Sequence, residues 1–222
     1  PINEAIMEQL IMIDALKRAS AKRITVILPF YGYARQDKKH LGREPISARL
    51  MADLFLAAGA DRLMTVDLHT AQIQGFFDGP VDHLLAMPIL TRYVRKNYGK
   101  KPLAVVSPDA GRIKVAEQWA RQFDNAPLAF IHKTRDVTKA NVSKANRVVG
   151  EVEGRTCILV DDLIDTGGTI CQAAEALMND GAAEVIIVST HAVFSGEAVN
   201  RLKDSVATEV IVGNPLRLED GE

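Results

Sequence analysis

The stretch "CILVDDLIDTGGTI", Cys157 to Ile170, decides the fold. Four apolar residues lead into the adjacent acids Asp161 and Asp162. A third acid, Asp165, precedes Thr-Gly-Gly-Thr, and an apolar helical pattern follows. An apolar run bounded by turn formers reads as a strand buried on both faces. The spacing predicts a strand over Cys157–Val160, a turn through Asp161–Gly168 and a helix from Thr169 to Met178. Such an order builds an anion site: glycines let consecutive N–H groups converge on one point, and the helix start adds partial positive charge. Gly167 and Gly168 supply the freedom, and Thr166 and Thr169 can donate hydroxyl hydrogen bonds to the same anion. Carboxylates facing that anion would repel it, so they must serve another part of the ligand: sugar hydroxyls, a metal ion, or both. A ribose 5-phosphate satisfies both halves, with its phosphate in the loop and its hydroxyls at the acids. A bare Gly-Gly turn is usually structural, but acid-acid-x-x-acid-Thr-Gly-Gly-Thr after a buried strand is far more specific.

Outward from this stretch the strand–helix alternation recurs. Strands are predicted at Ile24–Leu28, Leu63–Val66, Leu103–Val106, Leu128–Ile131, Val185–Ser189 and Glu209–Val212. Helices are predicted at Ile46–Ala58, Ile89–Tyr98 and Ile113–Phe123, and Ile2, Ile6, Leu10, Ile13 and Leu16 recur at helical spacing at the start. Val/Ile/Leu runs alternating with helices specify an α/β, doubly wound fold with mainly parallel sheets. The segment "FFDGPVDHLLAMP", Phe76 to Pro88, is rich in turn formers and has no clean period. Strand–loop–helix units lie on both sides of it. We therefore expect two similar α/β domains, residues 1–84 and 85–222, with a boundary near Leu85.

Bulk properties narrow the class. The 222 residues are 47% apolar and 25% charged, as in an ordinary globular enzyme. A net charge of -1 argues against a protein that coats nucleic acid. No apolar run approaches the ~20 residues of a membrane helix. Cys157 and Cys171 offer no disulfide framework, so a reducing, cytoplasmic setting is expected.

Four further segments carry chemistry. "YGYARQDKK", Tyr31 to Lys39, offers Arg35, Gln36 and Asp37 beside two lysines; alone it would pass for a solvated charged loop. "DLHTAQIQGFFD", Asp67 to Asp78, places His69 two residues past a predicted strand, where imidazole can meet a metal or a phosphate. "SPDAGR", Ser107 to Arg112, puts Asp109 where it could hold Mg²⁺ and leaves backbone open at Gly111. "HKTRDVTKANVSKANR", His132 to Arg147, is a basic run without periodicity, suited to a lid over a polyphosphate.

The Cys157–Ile170 stretch resembles the phosphoribosyl-binding signature of the phosphoribosyltransferase fold family. With "PFYGYARQDKKHLGREPISARL", "DLHTAQIQGFFD", "SPDAGR" and the Lys-x-Arg of Lys133 and Arg135, the chain resembles the ribose-phosphate diphosphokinases of the bacterial phosphate-activated class. The resemblance covers nearly the whole chain. It implies two phosphoribosyltransferase-like domains and the transfer of a diphosphoryl group from ATP to ribose 5-phosphate. It further implies Arg35, Gln36, Asp37 and His69 at ATP, and His69 and Asp109 at Mg²⁺. Asp109, Ala110, Gly111 and Arg112 would form a diphosphate loop. Arg135, Asp161, Asp162, Asp165, Thr166, Gly167, Gly168 and Thr169 would lie at ribose 5-phosphate, with Lys133 and Arg135 as catalytic residues. Homo-oligomers, from dimers to hexamers, are implied, with Gln74, Asp82 and His83 near a regulatory site, and neither nucleic acid nor membrane as partner. Against the family pattern, several dozen residues are expected before Pro1 and more after Glu222. The chain alone is therefore expected to hold most catalytic residues without being self-sufficient. The rival readings are a phosphoribosyltransferase that consumes the diphosphate and a non-catalytic regulatory homologue.

Overall fold

A computed structural model describes residues 2–39, 41–134 and 145–216. These divide into two compact units, Pro1–Leu85 and Ala86–Glu222. In the first, helix α1 (Ile2–Arg18) precedes strand β1 (Thr25–Leu28), helix α2 (Ser47–Ala58), strand β2 (Arg62–Val66), a 3-10 turn (Ala71–Phe76) and strand β3 (Val81–Leu84). The strands form a parallel sheet in the order β1-β2-β3. Its core gathers Val26, Leu28, Phe55, Leu63, Ile73 and Phe77. α2 ends at Gly59, whose φ of 116 lets its N–H turn back to the carbonyls of Phe55 and Leu56.

The second unit holds α3 (Met87–Tyr98), β4 (Leu103–Ser107), α4 (Ile113–Arg121), β5 (Leu128–Thr134), β6 (Ala145–Val149), β7 (Thr156–Ile164), α5 (Gly168–Asn179), β8 (Glu184–Ala192), α6 (Ala198–Lys203) and β9 (Glu209–Val212). Six strands lie in the order β6-β5-β4-β7-β8-β9, all parallel except the β5–β6 pair. Alternate residues of β7 face different cores. Cys157 and Leu159 pack with Ile170, Ala174 and Leu177 of α5, whereas Ile158 and Val160 pack with Leu90, Val94 and Trp119 of α3 and α4. Burial on both faces explains the uninterrupted apolar run. The chain winds from β4 toward β5 on one side and from β7 toward β8 on the other. β4 and β7 are thus neighbours at a topological switch point, where the loops beyond their carboxyl ends diverge and open a crevice.

The α/β class and parallel sheets agree with the sequence reading. Several elements differ from it. β3 lies in the segment read as turn-rich; as an edge strand of sequence Val-Asp-His-Leu, it is held by polar contacts and shows no apolar run. β5 extends to Thr134 and pairs antiparallel with β6, so the ends of the basic segment are ladder, not loop. α6 is too short to show a period. No helix among the described residues is long and apolar enough to cross a membrane.

Candidate active site

The main correction at the site concerns β7. The strand does not stop at Val160 but continues to Ile164, so Asp161 and Asp162 are strand residues. Its ladder with β8 carries on past the apolar run, pairing Asp161 with Ser189 and Leu163 with His191. The turn is confined to Asp165–Gly167. Gly167 has φ 74 and caps α5 with no side-chain hydrogen bond. A side chain would be strained in that backbone, and the first N–H groups of α5 receive no side-chain cap from this position. Gly168 already lies in the helix, and a Cβ there would make only ordinary contact, 3.7 Å from Nη1 of Arg201. One glycine, not two, is needed for the turn itself.

The turn is braced by a segment that sequence reading passed over. The Val193 and Phe194 N–H groups donate to the Ile164 carbonyl at 3.0 and 3.1 Å, and that of Ser195 donates to the Asp165 carbonyl at 3.0 Å. The Arg201 guanidinium, on α6, donates to the Thr166 carbonyl. Nothing in the local sequence of Arg201 announces this contact, because it spans 35 positions. Thr166 and Thr169 are exposed and Asp165 is half-buried.

The loop after β4 lies beside this turn because β4 and β7 are paired. Asp109 caps the 3-10 turn Ala110–Arg112, its Oδ1 accepting the Gly111 N–H at 2.8 Å. The Ser107 hydroxyl donates to the Asp109 carbonyl at 2.6 Å. Ala110 and Gly111 are exposed. Arg112 instead turns inward: its Nε lies 3.3 Å from Oδ1 of Asp161, and its Nη1 lies 3.3 Å from Oδ1 of Asp162. The Asp162 N–H also donates to Asp161 Oδ1, at 2.9 Å. Burial, and then the neighbouring Asp162 charge, push the Asp161 carboxyl well above the usual range, and Arg112 opposes them. Beneath the acids, burial pushes the Cys157 thiol up to about 12, leaving it inert.

In the first unit, the loop after β1 alternates anchors with displayed side chains. Tyr31, Ala34 and Asp37 are buried, while Arg35, Gln36, Lys38 and Lys39 are exposed. The Tyr31 hydroxyl donates to the Ala48 carbonyl at 2.9 Å. Asp37 Oδ2 accepts from the Thr70 hydroxyl at 2.6 Å and from Gln72 Nε2 at 3.3 Å. The "YGYARQDKK" and "DLHTAQIQ" segments are thereby tied together through one buried carboxylate. β2 ends at Val66, and Asp67 after it is held at φ 41, a left-handed backbone that costs a non-glycine residue of order 1 kcal/mol or more. Its N–H donates to the Leu84 carbonyl at 2.9 Å, and the next N–H, of Leu68, donates to His83 Nε2 at 2.9 Å. His69, half-buried, follows at once. Asp82 takes both its hydrogen bonds from Nη1 of Arg62, at 2.8 and 3.0 Å, and Gln74 donates to the Ala71 carbonyl at 2.9 Å.

His83 must be neutral to accept from Leu68. Burial lowers its pKa, and the Asp67 charge opposes that only in part. The unfolded chain therefore takes up this proton first, and stability is lost as pH falls from the unfolded value near 6.5 through the lower folded one. His83→Gln keeps an acceptor but cannot titrate. Urea unfolding at pH 7.5 and 5.5 should show a smaller acid loss in the variant than in the parent; equal losses would refute the assignment.

Of the residues expected to be catalytic, Arg135 lies outside the described residues. Lys133 is placed by its backbone on β5, opposite Asn146 of β6.

Comparison with known proteins accounts for both units. Residues 1–59 match the model of the N-terminal domain of ribose phosphate pyrophosphokinase, and residues 84–219 match that of the phosphoribosyl transferase domain. A ribose-phosphate pyrophosphokinase of Streptomyces avermitilis is 64% identical over 216 residues, covering 97% of this chain and 66% of that protein. One from Mycobacterium leprae is 62% identical with the same coverage. The chain thus spans just under two thirds of the length of these curated relatives. The crystal structure of phosphoribosylpyrophosphate synthetase from Mycobacterium smegmatis superposes with a TM-score of 0.94 at 61% identity, covering 99% of this chain and 71% of that one. With matching models in both units and that agreement along nearly its whole length, the chain belongs to the ribose-phosphate pyrophosphokinase family.

Proposed function

We propose that the full-length protein transfers the β,γ-diphosphoryl group of ATP to the anomeric hydroxyl of ribose 5-phosphate, giving 5-phosphoribosyl 1-diphosphate and AMP. The observation that carries this reading is the pairing of β4 with β7, which sets the Asp109–Arg112 loop beside the acids and glycine turn of Asp161–Thr169. The glycine turn and the start of α5 take the 5-phosphate. Asp161 and Asp162 accept from the ring hydroxyls, which directs the anomeric hydroxyl toward the Asp109 loop. Arg35 and Gln36 are displayed for ATP. Asp37, buried and already engaged by Thr70 and Gln72, acts as a brace for that loop. The anomeric oxygen attacks the β-phosphorus in line and loses its proton to solvent, the bond from that phosphorus to the α,β-bridging oxygen breaks, and AMP leaves with the bridging oxygen. Such a transfer rests on positioning and on charge stabilisation, the part given to Lys133 and Arg135.

Mg²⁺ belongs to the proposal. Among the described residues no group of three or more His, Cys, Asp or Glu side chains is gathered to hold a metal. Imidazole and carboxylate donors such as His69 and Asp109 suit an ion held largely through substrate phosphates and water. When bound, it would neutralise phosphate charge. Asp82 and His83 make contacts that brace the β2–β3 edge and Gln74 makes one inside the 3-10 turn, so we read all three as structural before any regulatory part. A homo-oligomer is part of the same reading, checked by light scattering of the full-length protein.

Incubation with ATP, Mg²⁺ and ribose 5-phosphate tests the function. AMP and 5-phosphoribosyl 1-diphosphate should appear in equal amounts. Release of AMP would exclude a phosphoribosyltransferase. Binding of both substrates without turnover would favour a regulatory homologue and overturn the proposal.

A further inference from the structure

Arg112 does not face the way its place in the Asp109 loop suggests. It follows the loop's exposed backbone, yet its side chain is only 15% exposed and faces the sugar acids. Nε and Nη1 of the one guanidinium each lie 3.3 Å from a different carboxylate. A tight charge-assisted contact is shorter, about 2.7–2.9 Å, so the guanidinium bridges the pair without closing on either acid. The arrangement answers a problem set by the sequence. Two adjacent carboxylates sit together with side chains only 20% and 5% exposed. Like charges so placed favour a neutral partner, and a protonated acid offers a donor where an acceptor is wanted. Recognition of two neighbouring hydroxyls by two carboxylates needs both to accept. One cation lying against both supplies the missing charge.

We propose that Arg112 is a positioning residue for sugar recognition: it holds Asp161 and Asp162 as a paired acceptor for the two ring hydroxyls and so sets the preference for ribose 5-phosphate over 2-deoxyribose 5-phosphate. The proposal rests on the reading of this crevice as the ribose 5-phosphate site. It departs from the expectation that Arg112 serves the diphosphate.

The test measures, in the full-length protein, calorimetric binding of each sugar phosphate alone, and KM and kcat for ribose 5-phosphate and ATP. Arg112→Met should weaken ribose 5-phosphate at least tenfold, leave the KM for ATP within about twofold, and cut the ribose-over-deoxyribose preference several-fold. Arg112→Lys should restore part of that preference. A merely structural role would lower both sugars' binding equally and leave the preference intact. Unchanged sugar binding with a raised KM for ATP or a lowered kcat would overturn the proposal in favour of a diphosphate contact. Should the methionine variant fail to fold, Arg112→Lys carries the test: weaker ribose binding at unaltered ATP KM supports the proposal, and unchanged ribose binding overturns it. Sugar binding is read apart from turnover. Wild-type protein that binds ribose 5-phosphate without forming AMP would therefore remove the functional reading and leave this one standing.

Discussion

Asp161→Asn is expected to cost the protein its use of ribose 5-phosphate while making the ligand-free fold more stable. The loss follows from replacing a charged acceptor by an amide. A hydrogen bond to a charged group is worth roughly 1.5–3 kcal/mol, so kcat/KM for ribose 5-phosphate should fall by roughly 10- to 150-fold. The gain follows from the burial of the acid pair. The folded pKa of Asp161 is raised above the ordinary 3.8 by burial and by the Asp162 charge. A raised carboxyl contributes stability below its unfolded pKa and loses it as pH rises through the folded value. At neutral pH the pair is therefore a strain on the fold. Asparagine removes it, still accepts the Asp162 N–H through Oδ1, and leaves Arg112 with one carboxylate instead of two. Urea unfolding of the ligand-free protein at pH 7.5 should show a higher midpoint for the variant, with unchanged m. A variant that is less stable, or one that keeps its KM for ribose 5-phosphate, would refute the role.

Lys133→Ala is expected to lower kcat by about a thousandfold, the scale of removing one cation from a phosphoryl-transfer transition state. The KM for ATP should change less than threefold, because an interaction made only in the transition state affects turnover and not ground-state binding. Lys133 sits near the end of β5, in register with Asn146 across an antiparallel pair, so its backbone is fixed by the sheet. Steady-state kinetics of the full-length variant decide the matter. Parallel losses in turnover and ATP affinity would make Lys133 a binding residue, and no loss would remove it from the mechanism.

Both predictions concern side chains that the linear sequence singled out, but the two were legible to different degrees. Asp161 was visible because carboxylates after an apolar strand and before a glycine turn have few structural uses. Its environment was not visible. Strand β7 runs on through both acids because β8 offers it ladder partners, Ser189 and His191, from beyond the turn. The sequence alone placed the same residues in a loop. Likewise Arg112 read as part of a phosphate-facing loop, and only the β4–β7 pairing shows that it points at Asp161 and Asp162. Arg201 and the Val193–Ser195 brace left no local signal, since each contact joins segments distant in the chain. β3 went unseen because Asp82 and His83 stabilise it through Arg62 and Leu68, and polar pairing has no hydrophobic period.

By itself, then, the sequence determined the α/β class, the parallel strands and the glycine turn before α5. Each of these follows from short-range physics: the alternation of apolar runs, the backbone freedom of Gly167, and the open N–H groups at a helix start. The tertiary structure decided which loops share a crevice, which acids share a cation and which loop carboxylate, Asp37, is spent on holding its neighbours. Those are matters of strand order and burial. They depend on which segments become adjacent once β4 and β7 pair, and no spacing along the chain encodes that adjacency.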